Sequence, residues 1–134
     1  MTTAVQALRQ LVEAAGEGNL DGFFAAHGVE LMTAFGSTIV EAATANDLDL
    51  AVAIREEADL YSLIADLVEM LRFDRNDVVD LETANVVLAA EALGVCVPIF
   101  ESEPGLYARR QMAALTERME TAYLRRLDLE LLSS

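Results

Sequence analysis

The sequence predicts an all-α fold, either an irregular helical bundle or a short stack of helical hairpins, with five to seven helices. Three observations predict it. Apolar residues return at three- and four-residue intervals through most of the chain, as one face of an α-helix requires. Gly16 to Gly18, Gly28 and Gly94 follow such patterns, where helices stop, and Asn19 and Asp47 precede them, where helices start. The longest pattern runs without a break from Asp47 to Phe73. At 134 residues with 54% hydrophobic side chains, the chain reads as one domain, 1–134, with ample material for a core.

Val5, Leu8, Val12 and Ala15 place the first helix, from Thr2 or Thr3 to Gly16. Asn19 suits the N-cap of a short second helix through Phe23, Phe24 and Ala26, and Gly28 suits the left-handed residue that closes it. A third pattern runs from Val29 through Leu31, Phe35, Ile39 and Ala43. Gly36-Ser37 interrupts it and Thr38 with Glu41 reads as a capping box, so two short helices or one bent helix are expected. The main helix then starts at Asn46 or Asp47 and ends near Asp74, with Leu50, Ile54, Tyr61, Ile64, Val68 and Leu71 on its apolar face. Asp74-Arg75-Asn76-Asp77 restarts the chain, and Val79, Val86, Ala89, Ala90 and Leu93 carry a further helix to Gly94. Pro98 lacks an amide proton and Pro104 fits a first helical turn, so residues 95–103 read as a linker. The last helix uses Ala108, Met112, Leu115, Met119, Tyr123, Leu127 and Leu131, with Met112 and Met119 expected in the core. Its Leu-rich end, Leu127 to Leu132, is expected to pack on the first helix or to form a homodimer seam.

A net charge of −14 argues against direct contact with nucleic acid or an anionic membrane and favours a basic partner. On the main helix Asp49, Glu56, Asp59, Asp66 and Glu69 recur at spacings of seven, three, seven and three, which would place them on one face as a stripe about 30 Å long. Like charges at these spacings repel by a few tenths of a kcal/mol per pair, a strain that an Arg- or Lys-bearing partner relieves. The single cysteine, Cys96, excludes an internal disulfide and reads as a buried thiol in a reducing cytoplasm. No signal peptide and no apolar run of about 20 residues is evident. His27, the one histidine, reads as a helix-terminal structural residue. Ser37 and Thr38 form neither a nucleophile elbow nor a phosphate loop.

Sliding the chain by 28 residues lays 11–27 over 39–55, matching Val-Glu-Ala-Ala and Leu-Asp in both windows. This helix, polar turn and capped helix resembles the second half of an ankyrin repeat, although the Thr-Pro-Leu-His element is missing and the usual period is about 33. Glu56-x-x-Asp59 and Asp77-x-x-Asp80 are similar to the acid pairs of the all-α nucleotide pyrophosphohydrolases of the MazG type. That resemblance implies a Mg²⁺ site at Glu56, Asp59, Asp77 and Asp80, but Leu60 stands where a further Glu is expected and no Lys is available for phosphate.

The function these features predict is that of a non-enzymatic acidic binding protein without cofactor or metal. It would inhibit or sequester a basic protein or nucleoprotein complex through Asp49, Glu56, Asp59, Asp66 and Glu69, as a toxin-immunity protein or a phage inhibitor of a nucleic-acid-handling defence complex does. The alternatives are the Mg²⁺-dependent pyrophosphohydrolase and a small acidic secretion or assembly chaperone.

Overall fold

The computed structural model describes residues 2–133 and is α/β, which corrects the all-α expectation. The elements in chain order are α1 (Ala4–Gly16), α2 (Asp21–Ala26), β1 (Val29–Phe35), α3 (Ser37–Val40), a 3₁₀ turn (Ala42–Thr44), β2 (Leu48–Ile54), α4 (Leu60–Leu71), β3 (Asn76–Asp80), α5 (Val86–Gly94), β4 (Cys96–Glu101) and α6 (Leu106–Ser133). The strands form one mixed sheet in the order β3-β2-β1-β4. β1 is antiparallel to β2 and β4, whereas β2 and β3 are parallel and joined through α4 as a βαβ crossover.

Each face of the sheet is covered, and that is why its central strands resemble helices in sequence. Leu48, Leu50 and Val52 of β2, with Met32 and Ala34 of β1, pack against Ala7 and Leu11 of α1, Phe24 of α2, and Leu63, Leu67 and Leu71 of α4. The alternate positions, Leu31 and Phe35 of β1 and Ala51 and Ala53 of β2, meet Ala92 and Leu93 of α5 and Ala114 of α6. Strands buried on both sides lose the polar–apolar alternation that marks a half-exposed strand. Thr33, fully buried in β1, donates its hydroxyl to the carbonyl of Ala92 at 2.9 Å and so ties α5 to the sheet.

Three segments expected as helix are therefore strand. Val29–Phe35 is β1. The stretch from Asp47 to Phe73 divides into β2, a turn and α4, so its five acids share no helical face. The restart at Asp74-Arg75-Asn76-Asp77 leads into β3, not a helix, and the helix-pair arrangement of Glu56, Asp59, Asp77 and Asp80 is not built. The windows 11–27 and 39–55 fold differently, the first closing on α2 and the second on β2. The expected linker 95–103 holds β4, where Pro98 sits on an edge strand beside a register shift that leaves Ile99 of β4 without an opposite residue, a place where a missing donor is tolerated.

Helix ends follow local chemistry where the expectation was right. Thr3 caps α1 reciprocally with Gln6 and Gly28 closes α2 at φ 67°, whereas α5 starts later than the expected restart at Asp74–Asp77, with Asn85 as its cap through Leu88 N. Asn19 instead bonds Glu17, and α2 has no side-chain cap. Met112 and Met119 are 71% and 73% exposed on α6, not in the core. Among the described residues no helix is long and apolar enough to cross a membrane.

Leu67 is fully buried beneath the sheet whereas Tyr61 on the same helix is 82% exposed. Leu67→Ala is expected to cost about 2–5 kcal/mol in urea unfolding and Tyr61→Ala less than about 0.5 kcal/mol. Similar losses at the two positions would contradict the placement of α4.

Candidate functional site

β1 delivers the chain to a turn at Gly36, whose φ of 79° and ψ of −151° belong to glycine. Strand pairing sets Phe35 opposite Asp49. A Cβ on Gly36 would collide with Asp49 Oδ2 and lie 3.1 Å from its Cγ, so the glycine is required by space as well as by conformation. Ser37 then opens the short helix α3 directly after that glycine.

Asp49 owes its direction to the period-two geometry of β2. Leu48 and Leu50 are fully buried on the α1/α4 face, which turns Asp49 to the opposite face. The parallel ladder starts with Leu48 N donating to Arg75 O at 2.9 Å and sets Asp49 beside Asp77 of β3. Neighbouring strands lie about 4.8 Å apart, so the two carboxylates share one edge of the sheet. Asp47, one strand repeat earlier, is exposed and accepts at 2.9 Å from Arg75 Nε. Burial, followed by the charges of Asp77 and Asp47, raises the Asp49 carboxyl above its usual range.

These residues stand at the mouth of a cleft of about 790 Å³ between the sheet and the α5/α6 layer. Phe35, Gly36, Val40, Asp49, Asp77 and Val79 form its sheet side. Val87, Leu88, Glu91, Gly94 and Val95 form the α5 side, and Leu115 and Arg118 of α6 close it. The arrangement joins an apolar chamber to a carboxylate pair and a glycine-serine turn.

A divalent cation fits the donor chemistry. Asp49 and Asp77 offer hard oxygen ligands, and the proton affinity of Asp49 is raised by burial and then by neighbouring negative charge, the second of which a cation would offset. Among the described residues no three acids, histidines or cysteines are gathered to hold a metal, Asp47 being bonded to Arg75. That ion pair is solvent-exposed and therefore weak, and the charge of Asp47 is felt at Asp49.

Of the acids the sequence singled out, Asp49 and Asp77 meet in the cleft. Glu56 lies in the loop after β2 and, with Asp80, lines a separate acidic groove. Asp80 Oδ1 accepts from Glu82 N at 2.9 Å in the turn after β3. Asp59 caps α4 by accepting from Tyr61 N at 3.0 Å, Asp66 binds His27 Nε2 at 2.8 Å, and Glu69 is exposed on α4. Gly36, Ser37, Asp47 and Arg118 were not read as site residues. The signal that finds the first three is the Gly36-Ser37 pair after an apolar run, followed by the alternation Asp47-Leu48-Asp49-Leu50, which is a strand pattern with both acids on one side.

Fold and site together define a nucleotidyltransferase-type α/β domain, with paired aspartates on neighbouring strands facing a glycine-serine turn. Residues 19–104 match the family described as polymerase beta, nucleotidyltransferase, and the chain belongs to that family. Among solved structures, a toxin–antitoxin complex with AMP-PNP matches at 18% identity and TM-score 0.66, covering 88% of this chain and 98% of the other. The MntA–HepT toxin–antitoxin matches at 17% identity and TM-score 0.62, over 88% and 97%. A structure of a tri-AMPylated Shewanella oneidensis HEPN toxin in complex with MNT antitoxin matches at 18% identity and TM-score 0.62, over 88% and 96%. A search of curated proteins finds no match. Family membership points to enzyme activity, which corrects the expectation of a non-enzymatic binder.

Because the folded protein holds the Asp49 proton more tightly than the unfolded chain, the contribution of Asp49 to stability is greatest at low pH. It falls as pH rises from the ordinary carboxylate range through the raised folded value, and stays lower beyond it. Asp49→Asn is therefore expected to raise the Tm at pH 7 and to flatten this pH dependence. Millimolar Mg²⁺ is expected to raise the Tm of the wild type but not of Asp49→Asn. A lower Tm for Asp49→Asn at pH 7 would overturn the electrostatic account.

Proposed function

We propose that this protein is an antitoxin-type nucleotidyltransferase that moves a nucleoside monophosphate from a nucleoside triphosphate onto a protein partner and thereby silences it. The observation that carries the reading is Asp49 opposed to Asp77 beside the Gly36-Ser37 turn at the mouth of the cleft. The AMP-PNP in one structural neighbour and the tri-AMPylated HEPN toxin in another support the donor and the acceptor class.

In this reading the apolar chamber takes the base and the glycine-serine turn lets the phosphates approach the backbone at the Asp49 edge. A hydroxyl oxygen of the partner attacks the α-phosphorus and forms the new P–O bond. The bond from that phosphorus to the bridging oxygen breaks, and pyrophosphate leaves. Asp77, exposed at the mouth, is placed to accept the hydroxyl proton at a carboxylate oxygen. A divalent cation bound at Asp49 and Asp77 would neutralise the charge that gathers on the phosphates.

The acids outside the cleft keep a role in this account. Glu56, Asp59, Asp66 and Glu69 form acidic surface away from the reacting groups, suited to drawing in a basic protein partner, and Asp49 passes from that surface to the catalytic edge.

Incubation of host lysate with ATP labelled at the α-phosphate, in the presence of the protein and Mg²⁺, is expected to label a protein band. The same reaction with γ-labelled ATP or with Asp49→Asn should leave that band unlabelled. Transfer of the γ-label instead would indicate phosphoryl transfer and remove the proposal.

A further inference from the structure

The wall that α5 gives the cleft is apolar except at one position. Val87, Glu91 and Gly94 are spaced by four and three, so they share a helix face, with Leu88 and Val95 at its edge. The opposite face of α5 buries Ala92 and Leu93 in the core. A carboxylate therefore stands in the middle of a hydrophobic wall. The α6 side of the chamber brings a second charge, Arg118, which is half-buried. Tyr107 Oη and Gln111 Nε2 hold α6 against the end of α5 by donating to Leu93 O at 3.1 Å and 2.9 Å.

Neither Glu91 nor Arg118 enters any of the ion pairs among the described residues. With Asp49 and Asp77 at the phosphate edge, these are the two charges that line the chamber where the base sits. A carboxylate only accepts hydrogen bonds and a guanidinium only donates them, so the chamber asks a base for donors on one edge and acceptors on another. Guanine meets both demands. Its N1–H and N2 amino group are two adjacent donors for a carboxylate, and its O6 and N7 are two acceptors for a guanidinium fork. Adenine and cytosine carry one amino group beside a ring acceptor, and uracil carries N3–H between two carbonyls. Each of these turns a lone pair toward the second carboxylate oxygen, which has nothing to donate.

We infer that Glu91 and Arg118 read the base of the incoming nucleotide, and that the preferred donor is a guanine nucleotide. This rests on the nucleotidyltransferase reading and names the substrate class of that site. Glu91 is the specificity-determining residue, because purine N7 satisfies Arg118 in adenine as well as in guanine, whereas the pair of donors that Glu91 accepts belongs to guanine. ATP then serves as the weaker donor. A site built to pair with two donors rejects a base that lacks one of them, since its own polar atom is left unpaired.

The test is calorimetric titration of the β,γ-imido triphosphates of guanosine, inosine and adenosine, each with Mg²⁺, into wild type, Glu91→Gln and Glu91→Ala, with circular dichroism confirming that the variants fold. Inosine keeps N1–H and O6 but lacks the N2 amino group, so it isolates the second donor. Wild type is expected to bind the guanosine analogue about 10-fold or more tighter than either of the others, as one bidentate pair predicts. Both variants should bring the three analogues within about 3-fold of one another, mainly by weakening the guanosine analogue. If wild type binds the adenosine analogue as tightly as the guanosine analogue, or if the variants keep the guanosine preference, the role of Glu91 is overturned while the nucleotidyltransferase reading stands. If wild type binds none of the three, that reading falls together with this one.

Discussion

The parallel pairing of β2 with β3 is the constraint on which the rest of the molecule depends. It sets Asp49 beside Asp77, two like charges on adjacent strands with Asp49 partly withdrawn from water. Such a pair is unfavourable by itself. It is held because the same backbone that presents Asp49 to the cleft buries Leu48, Leu50 and Val52 on the other face, in a core with α1, α2 and α4. Rotating the carboxylate away would require shifting the register of β2 by one residue, which would expose that leucine set. Packing on one side of the sheet thus fixes the chemistry on the other.

Gly36 belongs to the same constraint. The turn after β1 passes so close to Asp49 that any side chain there would displace the carboxylate. The strand that ends at this turn is anchored on one face by Met32 and Ala34, and on the other by Leu31, Phe35 and the Thr33–Ala92 hydrogen bond. The helical layer over the cleft is therefore joined directly to the strand that shapes its mouth. α6 extends that layer through Tyr107 and Gln111, so a residue far along the chain comes to line a chamber otherwise made by the sheet and α5.

The helices were more legible than the sheet. Thr3 announces α1, and the stop at Gly94 is where α5 ends. The strands were hidden for a physical reason: Leu31 to Phe35 and Leu50 to Ala53 are buried on both faces, so they read as continuous apolar runs that a helical template fits equally well. That error joined Asp49 to Asp66 and Glu69 on an imagined helix face. Asp77 was singled out for a metal site, but with Asp80 and Glu56, because a helix puts residues three apart together whereas a parallel sheet puts Asp77 beside Asp49. Asp47 was taken as a cap, the default role of an acid before an apolar run. Arg118 left no local trace, since its value comes from the docking of α6 on α5.

The central claim is that Asp49 and Asp77 form one cation-binding edge at the Gly36 turn. The most direct measurement is the broadening of backbone amide signals by substoichiometric Mn²⁺ in a two-dimensional NMR spectrum of the protein. The account predicts that the signals of Gly36, Ser37, Asp49 and Asp77 disappear first. Broadening centred on Glu56, Asp59, Asp66 and Glu69, with the Gly36 turn unaffected, would contradict it.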